Sequence, residues 1–178
     1  PGLRIATLRH PSARGPAGED LFIDVADAGA ADAHNGLLVI SGTHGAEGYA
    51  GSAIQSAWLH ANAASVAATG LHLTFVHALN PSGFAWNRRV NEENVDLNRN
   101  FIDWSAPLPQ NEGYDRLRNA INPPDLDSAT LEAASRAMRA FAKDHGAFAL
   151  QEVISRGQYR HPAGMYYGGN REIGRAHV

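Results

Sequence analysis

The chain contains no cysteine, a single lysine and no long run of apolar residues. Without cysteine it has neither a disulfide scaffold nor thiolate ligands, so any bound metal must be held by histidine and carboxylate side chains. No apolar run approaches the roughly 18 residues that span a bilayer, and no apolar core of a signal peptide follows the first residues. We therefore expect a soluble, cytoplasmic protein without a membrane partner.

Basic charge is also scarce. The net charge is −3 at pH 7, and apart from Lys143 the cations are arginines. Because no basic stripe interleaved with aromatic residues is present, a nucleic-acid partner is not expected. The length of 178 residues, with 44% hydrophobic and 19% charged residues, is typical of one globular domain with a sizeable core.

The pattern along the chain alternates between short apolar runs and helical periodicity. Strands are predicted over residues 3–8, 21–26, 37–40 and 71–79, and helices over 49–62, 128–145 and 147–154. Residues 9–20 are predicted as a polar loop, and 80–127, rich in Pro, Asn and Gly, as a long irregular segment. The continuous apolar run 37–40 is typical of a strand buried on both faces of a parallel sheet. This order indicates an α/β sandwich with a largely parallel sheet.

The sequence SGTHGAEG at residues 41–48 directly follows the strand predicted at 37–40. It carries His44 and Glu47 onto a glycine-rich turn at the carboxyl end of that strand, where ligands bind in such sheets. An imidazole and a carboxylate are two of the three protein ligands of a hydrolytic His₂Glu zinc site. The alternative is an ordinary helix start, at which Glu47 is favoured by the helix dipole.

A second polar cluster, NRRVNEENVDLNRNF, occupies residues 87–101. Its three arginines suit bidentate capture of a carboxylate or polarisation of a carbonyl, and asparagine adds directional donors. The alternative is a solvated loop in which the arginines pair with Glu92 and Glu93, which would contribute little.

Taken together, these motifs resemble the zinc carboxypeptidase (M14-like) superfamily. The resemblance rests on the order of His44-x-x-Glu47, the NPSGF sequence at 80–84, the two arginines at 88–89 and the DLNRNF sequence at 96–101. The sequence of residues 41–52, together with GQY at 157–159 and YGG at 167–169, is most similar to the DUF2817 branch of bacterial M14-like proteins. The match covers most of residues 21–170.

The resemblance implies a three-layer sandwich with a mixed, largely parallel sheet. It also implies a Zn²⁺ cofactor held by His44 and Glu47. Asn98 and Arg99 match the pair that binds the free carboxylate of the substrate. Arg88 or Arg89 matches the catalytic arginine that polarises the scissile carbonyl, with Arg89 preferred.

The third zinc ligand and the general base have no obvious place in this chain. In the family, a histidine at the end of a later strand is the third ligand, and a glutamate beyond it is the base. Only His145, His161 and His177 follow the arginine cluster, and none of them follows an apolar strand. We therefore expect residues 1–178 to form a single M14-like domain that is truncated at its C-terminal end. Truncation at the other end, where methionine is missing, stays open.

The expected function is zinc-dependent hydrolysis of peptide or N-acyl amide bonds. The substrate would be a small peptide or an N-acyl amino acid with a free carboxylate, as for carboxypeptidases and deacylases. One alternative is a non-catalytic domain with the same fold that binds carboxylates or peptides. Another is an assembly in which a second copy or chain supplies the missing segment. The sequence does not indicate an oligomeric state.

Overall fold

The computed structural model describes residues 3–30 and 32–173. It divides into two compact units, the first extending to Glu93 and the second beginning at Asn94. The first contains β1 (Arg4–Arg14), β2 (Asp20–Gly29), β3 (Asn35–Ile40), α1 (Gly45–Asn62), β4 (Leu71–His77) and α2 (Pro81–Ala85). The second contains α3 (Leu97–Asn100), α4 (Glu112–Ile121), α5 (Ser128–His145) and α6 (Ala147–Ser155). The prediction of a single domain over 1–178 stays a prediction.

The four strands of the first unit form one mixed sheet in the order β1-β2-β4-β3. The pairs β1–β2 and β2–β4 are antiparallel, and β3–β4 is parallel. The α/β class and the mixed sheet are thus confirmed, but "largely parallel" was wrong for the described strands. The reason lies in the connections, because the tight turn at residues 15–19 can only join antiparallel neighbours, whereas α1 provides the crossover that parallel β3 and β4 need.

The expected burial of β3 on both faces was also wrong. Leu38 is 58% exposed, and Leu37 and Ile40 are exposed as well. Strand β3 lies at an edge of the described sheet and pairs there with β4 alone. Its apolar composition therefore does not mean that its side chains are buried among the described residues.

Strand β1 extends further than its sequence indicates. The expected loop at 9–20 is instead the second half of β1 followed by a five-residue turn. The pairing with β2 is interrupted between Arg9 and Arg14 by a bulge that accommodates Pro11. His10 Nδ1 stabilises this bulge by accepting a hydrogen bond from the Ala13 amide at 2.9 Å.

The core of the first unit lies between the sheet and α1. Ala28, Leu73 and Phe75 are buried there, and Trp58 of α1 packs on Phe75 with ring centroids 5.3 Å apart. Burying a side chain such as Leu73 or Phe75 contributes about 1.5–3 kcal/mol. This packing fixes α1 on the sheet and so determines where the start of the helix lies.

The helices of the second unit include the best-predicted element of the chain. Helix α5 has the predicted bounds, Asp127 caps it by accepting from the Thr130 amide at 2.9 Å, and Gly146 at its end has φ 93°. In contrast, the segment 80–127 is not irregular throughout. Helices α2 and α3 are too short to show periodicity, whereas α4 buries Tyr114, Leu117 and Ala120 at i+3 steps. None of the described helices is long and apolar enough to cross a membrane.

Candidate functional site

The loop that carries His44 is fastened to the loop that follows β4. The Ser41 amide donates to the Val76 carbonyl at 2.9 Å, and the amides of Leu79 and Asn80 donate back to Ser41 and Gly42 at 3.0 and 2.8 Å. The two loops at the carboxyl ends of the parallel strands therefore form one hydrogen-bonded structure. Gly42 has φ 72°, a conformation that favours glycine.

The face of helix α1 that packs against these loops consists of glycine residues. Gly45, Gly48 and Gly51 follow one another at i+3 steps, so they share one side of the helix. A Cβ on Gly45 would overlap the Gly83 backbone of α2, and a Cβ on Gly51 would lie 2.6 Å from Ser41 Cβ. A Cβ on Gly48 would lie 2.9 Å from the Phe84 ring. The helix can come this close only because the side chains are absent.

His44, Glu47 and Arg89 meet where α1 begins. His44 Nδ1 lies 2.8 Å from Glu47 Oε2, and an Arg89 guanidinium nitrogen lies 3.5 Å from Glu47 Oε1. The His44 side chain is 10% exposed, whereas that of Glu47 is 66% exposed. The imidazole is thus held in the protein while the carboxylate faces solvent, so an incoming ligand can reach the pair.

Asn80 positions the segment that carries the two arginines. This buried residue caps α2 by accepting from the Gly83 amide at 2.8 Å. Its side-chain NH₂ faces the carbonyls of Thr43 and Arg89, each at 3.5 Å. The Gly45 amide also donates to the Arg88 carbonyl at 3.0 Å. The sequence indicated Asn80 by its position after the strand predicted at 71–79 and by the NPSGF resemblance, but its hydrogen bonds required the tertiary structure.

The two neighbouring arginines point to different surroundings. Arg89 lies beside Glu47, whereas Arg88 lines a cavity with Trp86 and Glu92. The preference for Arg89 as the catalytic arginine stays a prediction.

A partly buried polar pair, Ser41 and His77, lies beneath this loop structure. Ser41 Oγ and His77 Nδ1 are 2.8 Å apart, and the Phe84 ring stands edge-on to the imidazole at 4.7 Å. Burial lowers the pKa of His77, against the opposing effect of Asp24. This partly buried histidine thus has a hydrogen-bond partner in Ser41.

The second unit contains the DLNRNF sequence. Two of its residues, Asp96 and Arg99, have well-defined surroundings. Asp96 is fully buried and caps α3 by accepting from the Asn98 amide at 3.1 Å. Asn98 is exposed. The Arg99 side chain runs along Gly157, where a Cβ would lie 2.8 Å from Arg99 Cδ. Its Nε is buried and has no hydrogen-bond partner among the described residues.

Asn100 and Tyr159 fasten this turn to the end of the described chain. The Asn100 side chain donates to the carbonyls of Gly168 and Arg171 at 2.8 and 2.9 Å, and accepts from the Ile173 amide at 2.8 Å. The Tyr159 hydroxyl donates to the Arg99 carbonyl at 2.6 Å, and burial raises the pKa of this phenol. Tyr159 of the GQY sequence thus holds the backbone that carries the Arg99 side chain.

The candidate third ligands His145 and His161 have neighbours of their own within the second unit. His145 lies in the last turn of α5 against Phe141, with ring centroids 4.5 Å apart. His161 Nε2 is 2.7 Å from Asp115 Oδ1, and the hydrogen bond with His161 lowers the pKa of Asp115. His177 lies outside the described residues.

The donor atoms of His44 and Glu47 are of the types that bind zinc. An imidazole nitrogen and a carboxylate oxygen that converge within 2.8 Å are both zinc ligands. Over residues 3–30 and 32–173, however, no group of three His, Cys, Asp or Glu side chains is gathered that could hold a metal ion. The described residues therefore supply two donors of a set that normally has three.

Comparison with known proteins places the chain in a family. No curated protein matches it. A family model described as "Protein of unknown function (DUF2817)" matches residues 1–175, which confirms the closer of the two resemblances drawn from the motifs. Because the match covers nearly the whole sequence, the chain belongs to the DUF2817 family.

Proposed function

We propose that the protein is a zinc-dependent hydrolase of peptide or N-acyl amide bonds in substrates that carry a free carboxylate. The proposal includes the three-layer, zinc-carboxypeptidase-like fold and the wider M14 relationship that the motifs suggest. The observation that carries it is the convergence of His44, Glu47 and Arg89 at the start of α1. An imidazole, a carboxylate and a guanidinium at the carboxyl end of a strand suit metal-assisted attack on a carbonyl.

His44 and Glu47 would hold the metal, since their donor atoms already point toward one another. When bound, zinc supplies a Lewis acid that polarises a carbonyl and lowers the pKa of water to about 7. The fixed loop matters here because a ligand atom displaced by a fraction of an ångström binds poorly. The hydrogen bonds of the 41–45 loop to the 79–80 segment provide that rigidity.

Arg89 would stabilise the negative charge that develops on the carbonyl oxygen. Its guanidinium lies 3.5 Å from Glu47 and so beside the metal position. A donor oriented in advance toward such a charge is worth about 3–4 kcal/mol in the transition state. Arg88 is a weaker candidate for this role, because its side chain lines the neighbouring cavity.

Asn98 and Arg99 would bind the substrate carboxylate. The buried Arg99 Nε without an acceptor supports this role, since a buried donor normally has a partner. A carboxylate can accept from Nε and a terminal nitrogen of the same guanidinium at once. Both residues belong to the second unit.

Zinc binding to the purified protein tests the metal assignment. We expect His44→Ala and Glu47→Gln each to weaken zinc affinity at least tenfold, because each removes a direct ligand. His60→Ala is the matched control, since His60 lies in the last turn of the same helix and is exposed. Zinc affinity that is equal in the wild type and His44→Ala would contradict the proposal.

Hydrolysis of N-acyl amino acids and short peptides tests the reaction. Arg89→Gln should lower kcat about 100-fold or more, whereas Arg99→Gln should raise KM for free acids about tenfold or more but not for their amides. If carboxylates bind in an Arg99-dependent way while zinc binding and hydrolysis fail, the protein is the non-catalytic binding domain instead.

A further inference from the structure

Gly157 packs along the aliphatic part of the Arg99 side chain within the second unit. A Cβ at position 157 would lie 2.8, 3.2 and 3.4 Å from Arg99 Cδ, Cγ and Cβ, so three consecutive carbons of the arginine border this one residue. Gly157 is buried, and its φ of 95° is a conformation that favours glycine. Because a side chain at 157 would take the space of the arginine, the glycine determines the path that the Arg99 side chain follows.

Asn111 holds Gly157 in place. Helix α6 ends at Ser155, so Gly157 occupies the C′ position, where the last carbonyls of a helix need partners. The side-chain NH₂ of Asn111 donates to the carbonyls of Val153 and Gly157, each at 2.9 Å. Its Oδ1 accepts from the Tyr114 amide at 3.0 Å and so caps α4. One side chain thus joins the start of α4 to the end of α6.

Two aromatic residues fix the backbone at Arg99. The Tyr159 hydroxyl donates to the Arg99 carbonyl at 2.6 Å, and the Trp104 indole N–H donates to the Asn100 carbonyl at 3.0 Å. The two aromatic rings meet edge to face, with centroids 6.5 Å apart. The backbone and the aliphatic part of Arg99 are therefore held by different residues, and both are held without a ligand.

The guanidinium at the end of this side chain has a donor to offer. Arg99 Nε is buried, and the described part of the chain provides no hydrogen-bond partner for it. A buried donor normally has a partner. A long side chain that is fixed before binding also loses less conformational freedom when a ligand arrives. Both conditions suit a guanidinium that is oriented in advance toward an acceptor such as a carboxylate.

We propose that Gly157 and Asn111 are positioning residues for Arg99. Asn111 fixes Gly157, and Gly157 fixes the direction of the guanidinium. The inference rests on the proposed function for the nature of the ligand, a substrate carboxylate. The orientation of Arg99 itself can be observed without a ligand.

The NMR signal of the Arg99 Nε–H group, identified by its loss in Arg99→Gln, tests the positioning in the ligand-free protein. A fixed and buried Nε–H should exchange slowly with water and give a distinct signal. Gly157→Ala should shift this signal or remove it through faster exchange, because the new Cβ displaces the arginine. Gly146→Ala is the matched control, since Gly146 has φ 93° and a Cβ there would meet nothing within 4 Å. Both variants share the backbone strain, but they differ in the contact with Arg99.

Asn111→Asp separates the two roles of Asn111. Aspartate still caps α4 by accepting from the Tyr114 amide, but it cannot donate to the carbonyls of Val153 and Gly157. We expect the Arg99 signal to change as in Gly157→Ala, while the helix content measured by circular dichroism stays that of the wild type. An Arg99 signal that is unchanged in both Gly157→Ala and Asn111→Asp would overturn the positioning.

The affinities for N-acetyl-alanine and for its amide, measured by calorimetry, test the consequence for binding. The wild type and Gly146→Ala should bind the free acid about tenfold more tightly than the amide, as expected for a hydrogen bond to a charged group. Gly157→Ala and Asn111→Asp should bring this ratio close to one and leave the affinity for the amide unchanged. A purely structural role would weaken the binding of both compounds alike, and that result would contradict the inference.

The outcomes also separate the two proposals. An Arg99 signal that depends on Gly157 and Asn111, in a protein without preference for the free acid, would refute the carboxylate part of the proposed function and keep the positioning. A preference that Arg99→Gln removes but that both Gly157→Ala and Asn111→Asp retain would refute the positioning and keep that function.

Discussion

Replacing Gly51 by alanine tests whether the glycine face of α1 sets the position of the candidate site. In the interior of a helix, glycine to alanine should stabilise by about 1 kcal/mol, because alanine has the higher helix propensity. Here the new Cβ would lie 2.6 Å from Ser41 Cβ. Carbon atoms in contact are normally about 3.5–4.0 Å apart, so the helix and the end of β3 must separate by about 1 Å.

The cost of that separation exceeds the gain in propensity. Overpacking of a close contact typically costs about 1–3 kcal/mol, and Ser41 cannot rotate its Cβ away because this atom is bonded to the backbone. The shift also stretches the partly buried hydrogen bond between Ser41 and His77, which is worth about 1 kcal/mol. We expect a net loss of about 1–3 kcal/mol, since a total cost of about 2–4 kcal/mol is offset by a gain of about 1 kcal/mol.

Thermal unfolding followed by circular dichroism measures this loss. For a chain of this length, about 1 kcal/mol corresponds to about 2–4 °C in Tm, so Gly51→Ala should lower Tm by about 2–12 °C. Ser56→Ala is the control, at an exposed position of the same helix. It raises the helix propensity without causing a clash and should leave Tm unchanged or slightly raised. If Gly51→Ala is as stable as Ser56→Ala, the close approach of α1 to the strand end is refuted.

Three further predictions concern single side chains. Hydrogen bonding lowers the pKa of Asp115 below its ordinary 3.8, so its stabilising effect is present above about pH 4 and lost below it. The difference in Tm between the wild type and Asp115→Asn should therefore shrink on acidification, and a constant difference would contradict this. Burial lowers the pKa of His77 below 6.5, so stability should fall as pH drops below that value, and less so in His77→Asn, as measured by urea unfolding. Asn100→Ala removes three hydrogen bonds to the segment 168–173 and should cost about 2–4 kcal/mol in urea unfolding, with unchanged stability as the contrary result.

Local sequence patterns predicted the elements that depend on local interactions. Helix α5 was predicted with its bounds because its cap, its apolar stripe and its final glycine all lie within 20 residues. The strands β2 and β4 were recognised for a similar reason, since both are apolar runs bounded by turn residues. Helix α4 was missed, because Gly113 and its charged residues resemble a loop until Tyr114 is seen to be buried.

Long-range contacts explain the remaining errors. Strand β1 continues through Pro11 only because His10 and the pairing with β2 support a bulge. The sheet is mainly antiparallel because of how the strands are connected, which strand composition does not reveal. The apolar run of β3 indicated burial, but the degree of burial depends on which neighbours pair with it.

The sequence by itself determined the motifs and their places in the chain. His44 and Glu47 follow a strand at a glycine-rich turn. The sequence of residues 41–52, with GQY at 157–159 and YGG at 167–169, indicated the DUF2817 family, which the match over residues 1–175 confirms. These features can be recognised in the sequence because a motif is short and its function allows few residue types at each position.

Only the tertiary structure decided which side chains share a site. It separated Arg89, beside Glu47, from Arg88, beside Trp86, although the two are consecutive in the chain. It also joined Ser41 to His77 across 36 residues. Hydrogen bonds and close packing act between atoms that the fold brings together, and their distance in space is not encoded in their distance along the chain.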